Sequence, residues 1–121
     1  MTRDEWLNLG ETLFGKDIMQ WKFKCPYCGH IATVADYKKA GAPSSAVGFS
    51  CVGRWMPVCK EAFDDKDKRK IPCNYAGGGL IEINPVDVDG IKVFEFGESF
   101  AVEFALKKVG FIFRNSAIIG K

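Results

Sequence analysis

The segment Cys25-Pro26-Tyr27-Cys28-Gly29 holds the residues whose types and spacing offer chemistry most directly. Two thiols separated by two residues can grip one metal ion from a single tight turn. Main-chain N–H groups within that turn can donate to the sulfurs and favour thiolate. Gly29 supplies the permissive backbone that a knuckle needs after its second ligand. Two thiolates leave a tetrahedral ion half coordinated, so two more ligands must come from elsewhere. The candidates are Cys51, Cys59, Cys73 and His30. Cys51 ends a strand-like run and precedes Val52-Gly53. Cys73 follows Ile71-Pro72 and precedes Asn74, a residue that tolerates left-handed backbone. Both read as ligands borne on turns. Cys59, in Pro57-Val58-Cys59-Lys60, has no glycine beside it, and His30, two residues past Cys28, points away more easily than it ligates. The expected metal set is therefore Cys25, Cys28, Cys51 and Cys73, with Cys59 a spare thiol. The 21 residues between Cys51 and Cys73 make a loose zinc ribbon, with the intervening loop as an insertion. Zinc is the expected cofactor because the site looks closed and structural, although four cysteines also suit iron.

Other chemistries fit less well. Cys25-Pro26-Tyr27-Cys28 resembles, letter for letter, the active-site motif of glutaredoxins, which would make Cys25 the nucleophile and Cys28 the resolving thiol. That motif opens a helix whose N-terminus lowers the thiol pKa, whereas Gly29 opposes a helix here and no βαβ pattern surrounds it. A hydrolytic zinc site needs an open coordination position and a base, and four Cys ligands leave neither. The nucleobase-deaminase pattern fails because position 76 is Ala and His30 is followed by Ile31-Ala32. Asn74-Tyr75-Ala76-Gly77-Gly78-Gly79 lacks the Gly-Lys-Ser/Thr ending of a phosphate loop, so its glycines are expected to permit close backbone packing. No catalytic set remains, and the expectation is binding rather than catalysis.

The remaining composition agrees. In 121 residues there are five Cys and one His, with 47% apolar and 26% charged residues, which is one globular domain. A net charge of +2 excludes the strong polyelectrolyte character of an arginine-rich binder. No run approaches the ~18 apolar residues of a membrane span, and Met1-Thr2-Arg3-Asp4-Glu5 lacks a signal peptide's apolar segment. Odd cysteines without signs of secretion suggest metal binding in a reducing compartment. Residues 60–70 carry five bases and four acids in alternation and read as a solvated, mobile loop. The sharper reading is a phosphate-contacting loop built from Lys66, Lys68, Arg69 and Lys70. Arg54, Trp55 and Met56 are types enriched at interface centres. They and Lys68, Arg69 and Lys70 are the expected partner-binding residues.

The elements that must position these groups can be read coarsely. Thr2-x-x-Glu5 has the form of a capping box, and Trp6, Leu9 and Leu13 follow at helical spacing, so a helix is expected from about 3 to 14 within an N-terminal unit 1–18. Gly10 weakens it. Residues 19–24 alternate and predict a strand entering the first cysteine pair. Thr33 caps a short helix ending at Ala40-Gly41. Strands are expected over 46–51, 80–88 and 91–96, the last two joined by Asp89-Gly90, a strong hairpin signal. Pro85 puts the first of them at an edge or bulge. Residues 100–106 leave helix and strand in competition, and Phe111 to Phe113 is a further apolar run. The expected fold is a small zinc-stabilised α+β domain spanning 1–121. It has an N-terminal helix, zinc-ribbon-like knuckles and a mostly antiparallel sheet, with a four-cysteine core over 19–96 and an extension over 97–121.

As a set, Trp21-Lys22-Phe23, Cys25-Pro26-x-Cys28-Gly29-His30, Phe49-x-Cys51-Val52-Gly53-Arg54, Pro72-Cys73-Asn74-Tyr75-Ala76-Gly77-Gly78-Gly79-Leu80 and Asn84-Pro85-Val86 resemble a family of short, functionally uncharacterised proteins encoded largely by bacteriophages and other mobile elements. The resemblance covers 19–96. It implies a phage or prophage origin, a bacterial (host) cytoplasm, and Cys25, Cys28, Cys51 and Cys73 as the shared cysteines, and it supplies no activity. The resulting expectation is a non-catalytic zinc protein that docks on a host protein, such as one of a defence system. The alternative is a nucleic-acid-binding zinc module using Arg54, Trp55 and the bases of 66–70; the second alternative is a thiol redox protein.

Overall fold

The computed structural model describes residues 1–97. The runs expected over 100–106 and 111–113, and the extension beyond Gly97, lie outside the described residues.

Helix α1 spans Arg3–Phe14 and opens with the capping box legible in the sequence. The Glu5 N–H donates to Thr2 Oγ1 at 3.1 Å, and the Thr2 N–H donates to Glu5 Oε1 at 2.7 Å. One face of α1 lies on a small antiparallel sheet. Trp6 stacks on Phe96 at 5.1 Å between ring centroids and meets Trp21 edge-on at 5.9 Å. Gly10 weakens α1 in isolation, but it is required by packing. The Trp21 ring lies so close to the helix backbone that a Cβ at position 10 would overlap it. The Trp21 indole N–H donates to the Gly15 carbonyl at 2.9 Å and anchors the ring there.

The sheet consists of β1 (Lys22–Lys24) at the centre, flanked by β2 (Ile31–Thr33) and, from far along the chain, a two-residue strand over Glu95–Phe96. Both pairings are antiparallel, with Phe23 opposite Ala32 on one side and Phe96 on the other. The strand expected over 19–24 therefore occupies only its second half. Ile18–Gln20 forms a 3-10 turn, because the Asp17 carboxylate caps it by accepting from the Met19 N–H at 3.1 Å. Helix α2 (Val34–Ala40) follows β2, capped reciprocally by Thr33 and Asp36 and ended by Gly41 at φ 87°.

The next two expectations need correction. Residues 46–51 do not form a strand. Ser44–Ala46 is a 3-10 turn, and both the Phe49 and Ser50 N–H groups donate back to the Ala46 carbonyl at 3.0 Å. Residues 80–85 are not strand either. The only strand in the 80–88 run is β3 (Val86–Val88), which pairs with β4 (Ile91–Val93) around Asp89 and Gly90, both at positive φ as the hairpin signal requires. Upstream of Pro85, polar side chains bind the main chain instead. The Asn84 amide donates to the carbonyls of Phe49 and Lys92, and Glu82 accepts from the Gly78 N–H. The strand over Glu95–Phe96 is β5. Among the described residues, the outcome is an α+β architecture of two helices and two antiparallel sheets. Its main core runs from Leu9, Trp21 and Phe23 through Cys25, Cys51 and Cys73 to Phe94 and Phe96.

Candidate metal centre

Four thiols meet inside this core. The Sγ atoms of Cys25, Cys28, Cys51 and Cys73 all lie within 4.8 Å of one another. Cys25 and Cys73 are 3.8 Å apart, and Cys28 and Cys51 are 3.7 Å apart. Zn–S bonds of about 2.3 Å place the sulfurs of a regular tetrahedron about 3.8 Å apart. Both of these edges match that spacing, so the quartet has the size of a tetrathiolate cage and could hold a metal ion. Cys25, Cys51 and Cys73 are 1% exposed or less, and Cys28 is half-buried at the rim.

Local structure explains each placement. Cys25 and Cys28 sit on the turn between β1 and β2. The Cys25 N–H donates to the His30 carbonyl at 3.0 Å, and the Gly29 N–H donates back to the Cys25 carbonyl at 2.9 Å. Gly29 adopts φ 77°, as the knuckle reading required. Cys51 caps a 3-10 turn over Val52–Trp55 and is tied to the third segment, where its N–H donates to the Tyr75 carbonyl at 2.9 Å. Gly53 has no room for a side chain, because a Cβ there would strike the Cys73 carbonyl oxygen and the backbone of Pro72. The two distant ligand turns are thus packed backbone to backbone at Gly53. Asn74 does not adopt the left-handed conformation allowed for it. Its side chain instead accepts from the Ala62 N–H at 2.7 Å and donates to Glu61 at 3.1 Å, holding the root of the 60–70 loop against Cys73. A parallel bridge between Lys60 and Cys73 completes that junction.

The electrostatics suit a cation. Three sulfurs each have a main-chain N–H two residues further on directed at them: His30 at Cys28, Gly53 at Cys51 and Tyr75 at Cys73, the last at 3.4 Å. Such donors stabilise thiolate. Hydrogen bonding to Cys28, then to Cys51 and Cys73, with burial, pushes the Cys25 thiol far above its ordinary range. The same contact with Cys25 pulls Cys28 far below it. Four packed sulfurs cannot all be anionic without a positive centre among them.

The redox expectation meets a different geometry. Cys25-Pro26-Tyr27-Cys28 joins two antiparallel strands instead of opening a helix, and the would-be nucleophile Cys25 is buried. Cys59 is half-buried and outside the quartet, and His30 serves the knuckle through its backbone.

The six expected partner-binding residues fall into two places. Arg54 lies over the Trp55 ring at 5.1 Å, and Trp55 and Met56 line a cleft of about 430 Å³ with Asp36, Lys39 and Val52. Lys68, Arg69 and Lys70 line a separate cavity of about 340 Å³ with Cys28 and His30. His30 borders both. Lys66 does not line the second cavity. Lys60 does, and nothing in the local sequence signals it, because only its long-range pairing with Cys73 puts it there.

A small α+β protein built around a four-cysteine centre is the class that fold and site define. The chain belongs to the VVA0879-like family, whose model matches residues 2–97. No curated protein matches the chain, and no solved structure does. Among the described residues, no helix is long and apolar enough to cross a membrane.

Proposed function

We propose that this protein is a non-catalytic binding protein whose fold is held by one zinc ion on Cys25, Cys28, Cys51 and Cys73. The observation that carries the reading is the sulfur cage itself, with edges of 3.7 and 3.8 Å and three of its four thiols buried. Four thiolates fill a tetrahedral ion and leave no position for water or substrate, which is the pattern of a structural site. Zinc suits it better than iron as a redox-silent ion at a closed site. Metal analysis of the purified chain tests this, with one zinc per chain expected. A thiol titration of the native protein should find four protected cysteines and one reactive, Cys59. Iron in place of zinc, or five reactive thiols at neutral pH, refutes the assignment.

The binding role is read from Arg54, Trp55 and Met56. Trp55, with Arg54 over its ring, and Met56 border a cleft of about 430 Å³ that combines an aromatic ring, a thioether and charges of both signs, Asp36 and Lys39. A protein surface suits that mixture. The phage origin and bacterial host cytoplasm implied by the sequence resemblance make a host protein the proposed target. Capture from host lysate with wild type and with Trp55→Ala/Met56→Ala tests the face. The double variant should keep its zinc and its melting profile and lose the captured partner. Equal capture by both proteins removes the face from the reading.

A further inference from the structure

Along 60–70 the signs alternate, but in three dimensions four of the five bases gather on one cavity. Lys60, Lys68, Arg69 and Lys70 all line the one cavity of about 340 Å³ beside Cys28, and among the described residues no carboxylate lines it. None of the loop's four acids lines it. Glu61 accepts from Asn74, and Asp64 accepts from the Lys66 N–H. Asp67 pairs with Arg69 at 2.7 Å. Two of the cations are held in place. The Lys60 ammonium donates to the Arg69 carbonyl at 3.0 Å, and Asp67 grips the Arg69 guanidinium through Nε and Nη2. The far wall is the knuckle, where Gly29 leaves open space in place of a side chain. The cavity is therefore concave and cationic, and it is built from two segments, 28–30 and 60–71.

We propose that this cavity binds phosphate groups, and that its ligand is the backbone of a single-stranded nucleic acid. The proposal is independent of the protein-binding face, which lies on the other side of His30. A phosphodiester offers acceptor oxygens to several lysines at once, and the cavity's volume exceeds that of one phosphate. The cavity opens to solvent, which suits a strand running past it better than a buried small molecule.

The test uses the full, metal-loaded chain and a fluorescently labelled oligothymidine, titrated across a salt series. Wild type should bind with an affinity that falls as salt rises. Lys68→Gln/Lys70→Gln should bind about 25-fold more weakly at about 0.1 M salt and show a salt slope shallower by about 1.4, the loss expected for two phosphate contacts on a single strand. A control pair on other surfaces, Lys16→Gln/Lys92→Gln, removes the same charge and should retain most of the affinity. Inorganic phosphate is titrated as a competitor. Displacement only at concentrations that mimic added salt supports a polymer ligand. Displacement at stoichiometric phosphate overturns the nucleic-acid assignment in favour of a small phosphate. Equal losses in the two double variants overturn the site, since net charge would then explain them. Zinc retention against a chelator is followed in parallel. If Lys68→Gln/Lys70→Gln sheds zinc and binds the oligonucleotide as wild type does, the cations serve to neutralise the anionic metal–thiolate centre, and the proposal fails.

Discussion

Replacing Cys73 by Ser separates a metal-built core from a merely cysteine-rich one. Cys73 is fully buried, 3.8 Å from Cys25 Sγ, and fixed by the Lys60 bridge on one side and Gly53 on the other. A serine hydroxyl does not ionise near neutral pH and is a poor ligand for a thiolate-preferring ion, so the substitution leaves three sulfurs and a buried hydroxyl with no metal to satisfy it. That hydroxyl costs about 1–3 kcal/mol. The larger loss is the ion, because structural zinc contributes on the order of 10 kcal/mol or more in small modules. A whole domain has about 5–15 kcal/mol of stability in all, so Cys73→Ser should purify with much less than one zinc and show no cooperative melt at 37 °C. Cys59→Ser is the matched control. It removes an equivalent atom from a half-buried site outside the cage, and should cost about 0.5 kcal/mol or less. The assay is metal analysis with a circular-dichroism melt on both variants. One equivalent of zinc and a wild-type melt in Cys73→Ser would refute the ligand set, and so would zinc loss in Cys59→Ser.

Further predictions concern the packing and the charged loop. Gly10→Ala ordinarily stabilises a helix by up to about 1 kcal/mol. Here the added methyl overlaps the Trp21 ring, and overpacking of about 1–3 kcal/mol should win, so the melting temperature falls; a rise would show that α1 can shift off Trp21. Gly53→Ala drives a methyl into the Cys73 carbonyl, and should speed zinc transfer to a competing chelator more than it changes helix content. The Asp67 carboxyl, held down by hydrogen bonds from Arg69, should titrate at about 2. A depressed carboxylate favours the folded loop above its ordinary range and loses that contribution as pH falls through about 2. In Arg69→Gln the midpoint, followed by carboxyl NMR, should return toward 3.8.

What the sequence disclosed depended on how far each feature reaches along the chain. Both helix starts were legible because a capping box is complete within four residues, and the β3–β4 turn because Asp89-Gly90 states its own backbone conformation. The first two cysteines were legible for the same reason. Cys51 and Cys73 could be proposed only from the turn residues beside them, and the real cause of their meeting is a contact no local pattern encodes. Gly53 is glycine because Cys73 must lie against it, not because its own turn needs a positive φ. Strand assignments over 19–21, 46–51 and 80–85 failed where side chains of Asp17, Glu82 and Asn84, or the Ala46 carbonyl, captured main-chain groups that a ladder would otherwise have used. The 60–70 loop is the clearest limit. Its alternating charges describe a solvated face if the loop is read alone, and a cationic cavity once Lys60 is pinned to Cys73. The same junction closes the sulfur cage, so a change that opens the Lys60–Cys73 bridge should weaken metal retention and disperse the cavity's cations together. Substituting Asn74 by Ala, which removes the side chain holding Ala62 and Glu61, is the direct way to see whether those two losses occur as one.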